Sequence, residues 1–429
     1  MKTDTNPSRE KWKELCKRPE PDYKSLENTI SIVFDEVKSM GDRAVKKNTR
    51  QFDHVELDFI QVSELEIEEA VKKVSRQLKT AIDIAKNNIE KFHAVQKEEV
   101  KRIDTIPGVT CWRESKAIEK VGLYIPGGSA PLFSTVLMLG IPAKLAGCKE
   151  IVICTPPQKD GSIHPAILYT AASIGIKTIY KVGGIQAIAA MTFGTETIPN
   201  VFKIFGPGNS YVTAAKQYAF RKGIAIDMPA GPSEVLIMAD ETADADFIAA
   251  DLLSQAEHGT DSQVILVTYS EKFADKVKEA VKNQLEKLSR ANIARQSLEN
   301  SKCLIMSNKK EAIDFINEYA PEHLIVSVED EGEYLDEIVN AGSVFLGMYT
   351  PESAGDYASG TNHTLPTAGF AKAYSGVSLD SFLKKITFQR ITPKGLQSLG
   401  PSIEMMAEAE GLDAHKNAVT IRLKKIYKD

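Results

Sequence analysis

The texture of this chain changes abruptly at Val121. From there, apolar runs of four to six residues alternate with helix-length amphipathic segments. The runs at 121–124, 151–154, 178–182, 202–205 and 224–228 are too short for helices and too continuously apolar for strands with one wet face. Such βαβ repetition builds a parallel sheet covered by helices on both sides. After Ala230-Gly231-Pro232 the pattern restarts, with strands expected at 234–238, 264–267, 303–306, 323–328 and 343–346. A second α/β layer therefore follows the first.

The flanking regions read differently. Residues 1–24 are charged and end in Arg18-Pro19-Glu20-Pro21, and the following hundred are mostly helical in pattern, 25–52 and 64–97 above all. Beyond Leu379 the chain reads as three helices, at 379–388, 401–410 and 414–426. At 429 residues, two or three domains are expected.

Charge excludes one class of partner. Lys and Arg number 53 against 58 Asp and Glu, and the basic residues are dispersed, so no nucleic-acid footprint is present. The N-terminal Met1-Lys2-Thr3-Asp4-Thr5 is polar, and no stretch reaches the ~20 apolar residues of a membrane span. A cytoplasmic enzyme is the expectation. The five cysteines are irregularly spaced without a CxxC pair, which argues against disulfides and a thiolate metal site. Cys148 and Cys154 are the candidate nucleophiles, but neither has a nearby activating group in sequence, and both read as small buried residues.

Three glycine turns follow strands of the first sheet: Pro126-Gly127-Gly128, Gly183-Gly184-Ile185-Gln186 and Gly206-Pro207-Gly208-Asn209. Loops at the carboxyl ends of parallel strands collect ligands, and a helix N-terminus there favours anions. A dinucleotide fits this pattern. Tyr211 replaces the third glycine of the usual fingerprint, however, so plain strand-to-helix turns remain the alternative.

Four of the seven histidines fall in the second half of the chain, each in a segment dense in carboxylates, amides, Gly and Pro. Gln255 and His258 are three apart at a helix end, on one face; capping or surface roles are the alternative. Asp356 is expected in a Gly/Ser-rich loop, and His415 opens the last helix. Together these four form an oxygen and nitrogen set suited to Zn, with Mn or Co as substitutes. Glu322-His323 follows Pro321, which keeps its neighbours extended, and precedes Leu324-Ile325-Val326. At a strand's mouth the pair can act as general base; elsewhere it is a loop carboxylate beside a satisfied histidine.

Taken together, the segments resemble the histidinol dehydrogenase family. The likeness runs through Glu119-Lys120-Val121-Gly122-Leu123-Tyr124-Ile125-Pro126-Gly127-Gly128, Ile204-Phe205-Gly206-Pro207-Gly208-Asn209, Pro229-Ala230-Gly231-Pro232-Ser233-Glu234, Gln255-Ala256-Glu257-His258-Gly259, Ala320-Pro321-Glu322-His323, Gly355-Asp356-Tyr357, Thr361-Asn362-His363-Thr364-Leu365-Pro366 and Ala414-His415-Lys416-Asn417-Ala418. It covers the chain from about Ser25 onward.

The resemblance implies four-electron oxidation of L-histidinol through L-histidinal to L-histidine, with two NAD consumed. It implies two Rossmann-like, incomplete, doubly wound domains with small helical N- and C-terminal extensions, in an intertwined homodimer. The NAD-binding domain would span 124–231, and 25–123 with 232–378 would carry the metal and acid–base residues. The first extension would be 1–24, and the tail at 379–429 would reach the partner subunit. One zinc per subunit would be held by Gln255, His258, Asp356 and, across the dimer, His415. Glu322 and His323 would be the acid–base pair. Ser233, His363 and Glu410 would join them and the metal ligands in contacting substrate, with Tyr124, Gln186 and Asn209 lining the NAD site. A relative oxidising another polyol, such as a sulfonated diol, would change those substrate contacts, and a non-catalytic α/β binding protein would need neither the ligand set nor the Glu-His pair.

Overall fold

The computed structural model describes residues 1–19, 23–127, 131–229 and 231–428. Glu20 and Pro21 of the expected N-terminal boundary, Gly128 of the first glycine turn and Ala230 lie outside these. The chain divides into two compact units, one of Met1–Gln96 with Ile118–Phe382, the other of Lys97–Ala117 with Leu383–Asp429. Among the described residues, no helix is long and apolar enough to cross a membrane.

The strands in chain order are β1 (Lys2–Thr5), β2 (Arg102–Ile106), β3 (Val109–Ala117), β4 (Lys120–Tyr124), β5 (Glu150–Thr155), β6 (Ile179–Lys181), β7 (Lys203–Phe205), β8 (Ala225–Ile226), β9 (Glu234–Ala239), β10 (Gln263–Thr268), β11 (Lys302–Ile305), β12 (His323–Ser327), β13 (Ser343–Leu346) and β14 (Leu383–Ile391). In the first unit, β6-β5-β4-β7-β8 form one parallel sheet. Strand order reverses at β4, and a crevice opens at such a switch point. One face is covered by the helices Glu64–Lys73, Arg76–Ala94, Phe133–Ala146 and Pro165–Ser173; the helices Tyr23–Met40, Asp42–Phe52, Gly184–Phe193 and Ser210–Arg221 cover the other.

The second parallel sheet has the order β1-β11-β10-β9-β12-β13. Alternation decides its two cores. Val235, Ile237, Val264 and Leu266 meet the helices Ala245–Ala256, Glu271–Leu285 and Ala291–Glu299, whereas Leu236, Met238, Ile265 and Val267 meet Lys309–Tyr319 and Trp12. All ten strands expected in the two sheets are present. The charged N-terminal segment adds an edge strand, β1, which pairs with β11.

In the second unit, β2, β3 and β14 form an antiparallel sheet, and the helices Pro393–Ala409 and Asp413–Ile426 pack together. This corrects the helix expected at 379–388. A short 3-10 turn, Leu379–Phe382, gives way to β14, which pairs with β3 along its whole length. Ile386, Thr387, Phe388 and Ile391 favour strand, and the Phe388 ring stacks on Trp112 at 5.4 Å, so cross-strand packing overrides the helical reading.

Candidate active site

The central strands β9 and β12 begin side by side, with His323 paired to Val235 on one flank and Ser343 on the other. Their amino ends open into a cavity of about 350 Å3, whose lining includes Ser233, Gln255, His258, Glu322, His323, Asp356 and His363, together with the loop 206–210. Glu322 and His323 thus stand at the strand's mouth, the position in which neighbours of opposite facing can serve one pocket. Pro321 does not keep both neighbours extended. Ala320 has φ 52° and ψ 68°, because it closes the helix Lys309–Tyr319 by donating to the Ile316 carbonyl. A left-handed alanine costs about 1–3 kcal/mol, a strain held immediately beside the pair.

Gln255 is carried inward on the last turn of Ala245–Ala256, whose Ile248, Leu252 and Leu253 pack on the sheet. Its Nε2 donates to the Glu234 carbonyl at 3.1 Å. Glu322 Oε2 accepts from the Glu234 N–H at 2.8 Å. His323 Nδ1 lies 3.1 Å from the Glu234 carbonyl and 3.6 Å from Glu322 Oε2. Gln255 Nε2 lies 3.1 Å from Nδ1 as well but already donates to the Glu234 carbonyl; with two oxygens also facing Nδ1, a neutral ring would keep its hydrogen there and its lone pair on Nε2. Among the described residues that atom has no hydrogen-bond partner; it lies 3.4 Å from Asp356 Oδ1.

Asp356 sits in a short helix, Glu352–Tyr357, rather than in the loop expected. One turn earlier on that helix is Glu352, a buried carboxylate that the sequence reading missed. The i, i+4 spacing was the available signal, hidden because the segment read as loop. Gly355 is dictated by packing, since a Cβ there would lie 2.7 Å from the Phe345 ring.

Ligand atoms of His323, Glu352 and Asp356 all fall within 4.8 Å of one another. Among the described residues, Glu352 Oε2, Asp356 Oδ1, His323 Nε2 and Gln255 Oε1 are buried without hydrogen-bond partners. Convergent orphaned acceptors are costly unless a cation or water meets them. Electrostatics agree. Burial pushes Glu352 up to about 8 and raises Glu322 too, with His323 opposing both. Burial also works to raise Asp356, but the His323 ring 3.4 Å away and its charge hold it below the usual carboxylate range. Burial by itself lowers His323, yet Glu352, Glu322 and Asp356 outweigh it and hold the ring well above the usual histidine value.

His258 faces the same cavity, and desolvation by the cavity walls holds it below the usual range against the pull of Asp356. His363 is lowered by burial as well; its Nδ1 lies 2.9 Å from the Asp356 carbonyl and its Nε2 3.1 Å from Thr135 Oγ1. Glu410 and His415 belong to the second unit, both exposed, the former at the end of Pro393–Ala409 and the latter in Asp413–Ile426.

The glycine turns at the carboxyl ends of the five-stranded sheet gather a second set of groups. Gly206 has φ 127°, and a Cβ there would lie 2.1 Å from the Tyr124 carbonyl oxygen, so only glycine fits. Its N–H donates to Asp227 Oδ2 at 2.8 Å and its carbonyl accepts from Lys216 Nζ at 2.8 Å, the two side chains forming a buried ion pair. Asn209 caps Ser210–Arg221, with Oδ1 accepting from the Val212 N–H at 3.1 Å. Tyr124, whose hydroxyl burial pushes up to about 12, accepts from the Gly184 N–H at 3.1 Å. Gln186 is buried; its Nε2 donates to Asp53 Oδ2 at 3.1 Å, while Oε1 has no partner among the described residues.

Burial pushes Asp53 up to about 6 from 3.8, against the Gln186 hydrogen bond. A carboxyl raised on folding leaves stability intact below 3.8 and erodes it as pH climbs through about 6. Asp53→Asn keeps an oxygen acceptor for Gln186 without the charge. It should raise the urea midpoint at pH 7–8 and leave it unchanged near the acid end, and an equal shift at both would remove titration as the cause.

The chain matches the histidinol dehydrogenase family over residues 16–423. It is 60% identical to histidinol dehydrogenase of Bacteroides fragilis over 428 residues, covering 100% of each, and 54% identical to that of Vibrio vulnificus over 92% of each. Its fold superimposes on the crystal structure of histidinol dehydrogenase from Elizabethkingia anophelis with a TM-score of 0.98 at 59% identity, covering 100% of this chain and 99% of the other.

Proposed function

Because the chain belongs to the histidinol dehydrogenase family, we propose that it oxidises L-histidinol through L-histidinal to L-histidine, using two NAD in the closing steps of histidine biosynthesis. The observation that carries this reading is the Glu322–His323 pair at the mouth of β12, with an unpartnered His323 Nε2 facing the cavity groups. His323 takes the hydroxyl proton at Nε2, while Nδ1–H, held by the Glu234 carbonyl, stabilises the charged ring. In the second half-reaction Glu322, directly or through His323, activates the water that adds to the aldehyde. Ser233, His363 and Glu410 contact the substrate.

The orphaned Gln255 Oε1 and Asp356 Oδ1 fit a divalent cation. Zinc would be held by Gln255, His258, Asp356 and His415 of the partner subunit. When bound, it anchors the substrate's imidazole and amine and offsets the carboxylate charge that otherwise keeps His323 protonated. The unpartnered Gln186 Oε1 and the helix N-terminus that Asn209 caps likewise fit NAD, with Tyr124 in the same set. NAD supplies the hydride acceptor. A cytoplasmic homodimer is part of the proposal, supported by Met405, Met406, Leu412 and Ile421, exposed apolar residues of the second unit of the kind a partner covers.

The test is histidinol-dependent NADH formation measured beside metal content. Chelation should abolish turnover and Zn, Mn or Co restore it; full activity in protein shown to be metal-free would refute the metal site.

The cysteines have no part in this chemistry. Cys154 is fully buried and burial raises its thiol; Cys148 is pushed up to about 11. Replacing both by Ala should leave kcat within a few-fold of the parent, since a hydrated aldehyde gives up hydride without a thiohemiacetal. A folded but inactive double variant would restore the covalent route.

A further inference from the structure

One residue touches every part of the acid–base site through its backbone. The N–H of Glu234 holds Glu322, and its carbonyl oxygen receives both His323 Nδ1 and Gln255 Nε2. The Glu234 side chain points the other way and is buried, in the grip of Arg18. Arg18 Nε donates to Oε1 and Nη2 to Oε2, both at 3.0 Å, and the Ala368 N–H adds a third donor at 2.6 Å. The guanidinium is fixed in turn. Nη1 donates to the Cys16 carbonyl at 2.9 Å, Nη2 to the Tyr319 carbonyl at 2.6 Å, and the group lies 3.6 Å over the Tyr319 ring.

A buried ion pair of this kind adds little stability over apolar residues of the same volume, because desolvation cancels most of the attraction. What a bidentate fork adds is direction, since planar Arg sets a carboxylate's orientation where Lys, a point charge, does not. We propose that Arg18 is a positioning residue for the reaction: by orienting Glu234 it sets the backbone groups that aim Glu322, His323 and Gln255. The N-terminal segment thereby acts on chemistry it does not touch. This inference rests on the reading of Glu322 and His323 as the acid–base pair.

The experiment compares Arg18→Lys, Arg18→Ala and His323→Asn as metal-loaded full chains, with kcat expressed per folded molecule and KM measured for histidinol and NAD. Arg18→Lys should lose about 10- to 100-fold in kcat, the scale of a sub-ångström to ångström misplacement, with both KM values and metal content little changed. Methylguanidinium added to Arg18→Ala should recover part of the loss. Should Arg18→Ala not fold, Arg18→Lys decides, since it keeps the charge and removes only the fork. Parent kcat in Arg18→Lys, or a loss that merely follows the unfolded fraction, overturns the proposal while an inactive His323→Asn leaves the acid–base reading standing. An active His323→Asn overturns both.

Discussion

Asn in place of His323 is expected to cut turnover of both half-reactions by about 100- to 10,000-fold, the range for loss of a positioned proton-transfer group. Asn matches part of the ring's shape and can still donate toward the Glu234 carbonyl, but it offers no base where Nε2 stands. Glu322→Gln is expected to behave differently. Its carboxylate accepts from the Glu234 N–H and sits on the Nδ1 side of the ring, away from the lone pair that meets the alcohol. Oxidation of histidinal, which needs activated water, should therefore slow far more than the first hydride transfer. Single-turnover traces started from histidinol and from histidinal separate the two, and equal losses in both steps would end this division of labour.

The second large effect is a recovery of activity from two dead proteins. If His415 of the partner subunit completes each site, His323→Ala and His415→Ala homodimers should both be inactive. A mixed dimer would then place both lesions in one site and leave the other intact, in keeping with a two-fold arrangement. Refolding the two variants together should restore about half of the normal activity per mixed dimer. A site built within one chain would leave every combination dead.

The parallel sheets were legible because their strands are short apolar runs punctuated by glycine and proline, a pattern whose meaning is local. The antiparallel sheet was not. Its strand β3 carries Arg113, Glu114 and Lys116 among its apolar residues, and its partner β14 comes from the far end of the chain. The Glu322–His323 pair, the glycine turns and Gln255 could be read from neighbours in sequence, and the cavity gathers Gln255, His258, Asp356 and His363 around that pair. Glu352 escaped because a six-residue helix that holds Ser353 and Gly355 looks like a loop. The Arg18–Glu234 contact spans 216 residues, and no periodicity in either segment announces it.

The strand β1 has a consequence for solubility. The β11 segment Lys302-Cys303-Leu304-Ile305 is short, nearly all apolar and paired with β10 on one flank. Without β1 its other flank would offer a row of free N–H and C=O groups to any extended chain nearby, a template for self-association. Lys2 and Asp4 place opposite charges along the new outer rim. The charged strand β1 therefore discourages further pairing at that edge, and removing Lys2–Thr5 would exchange a charged edge for an apolar one.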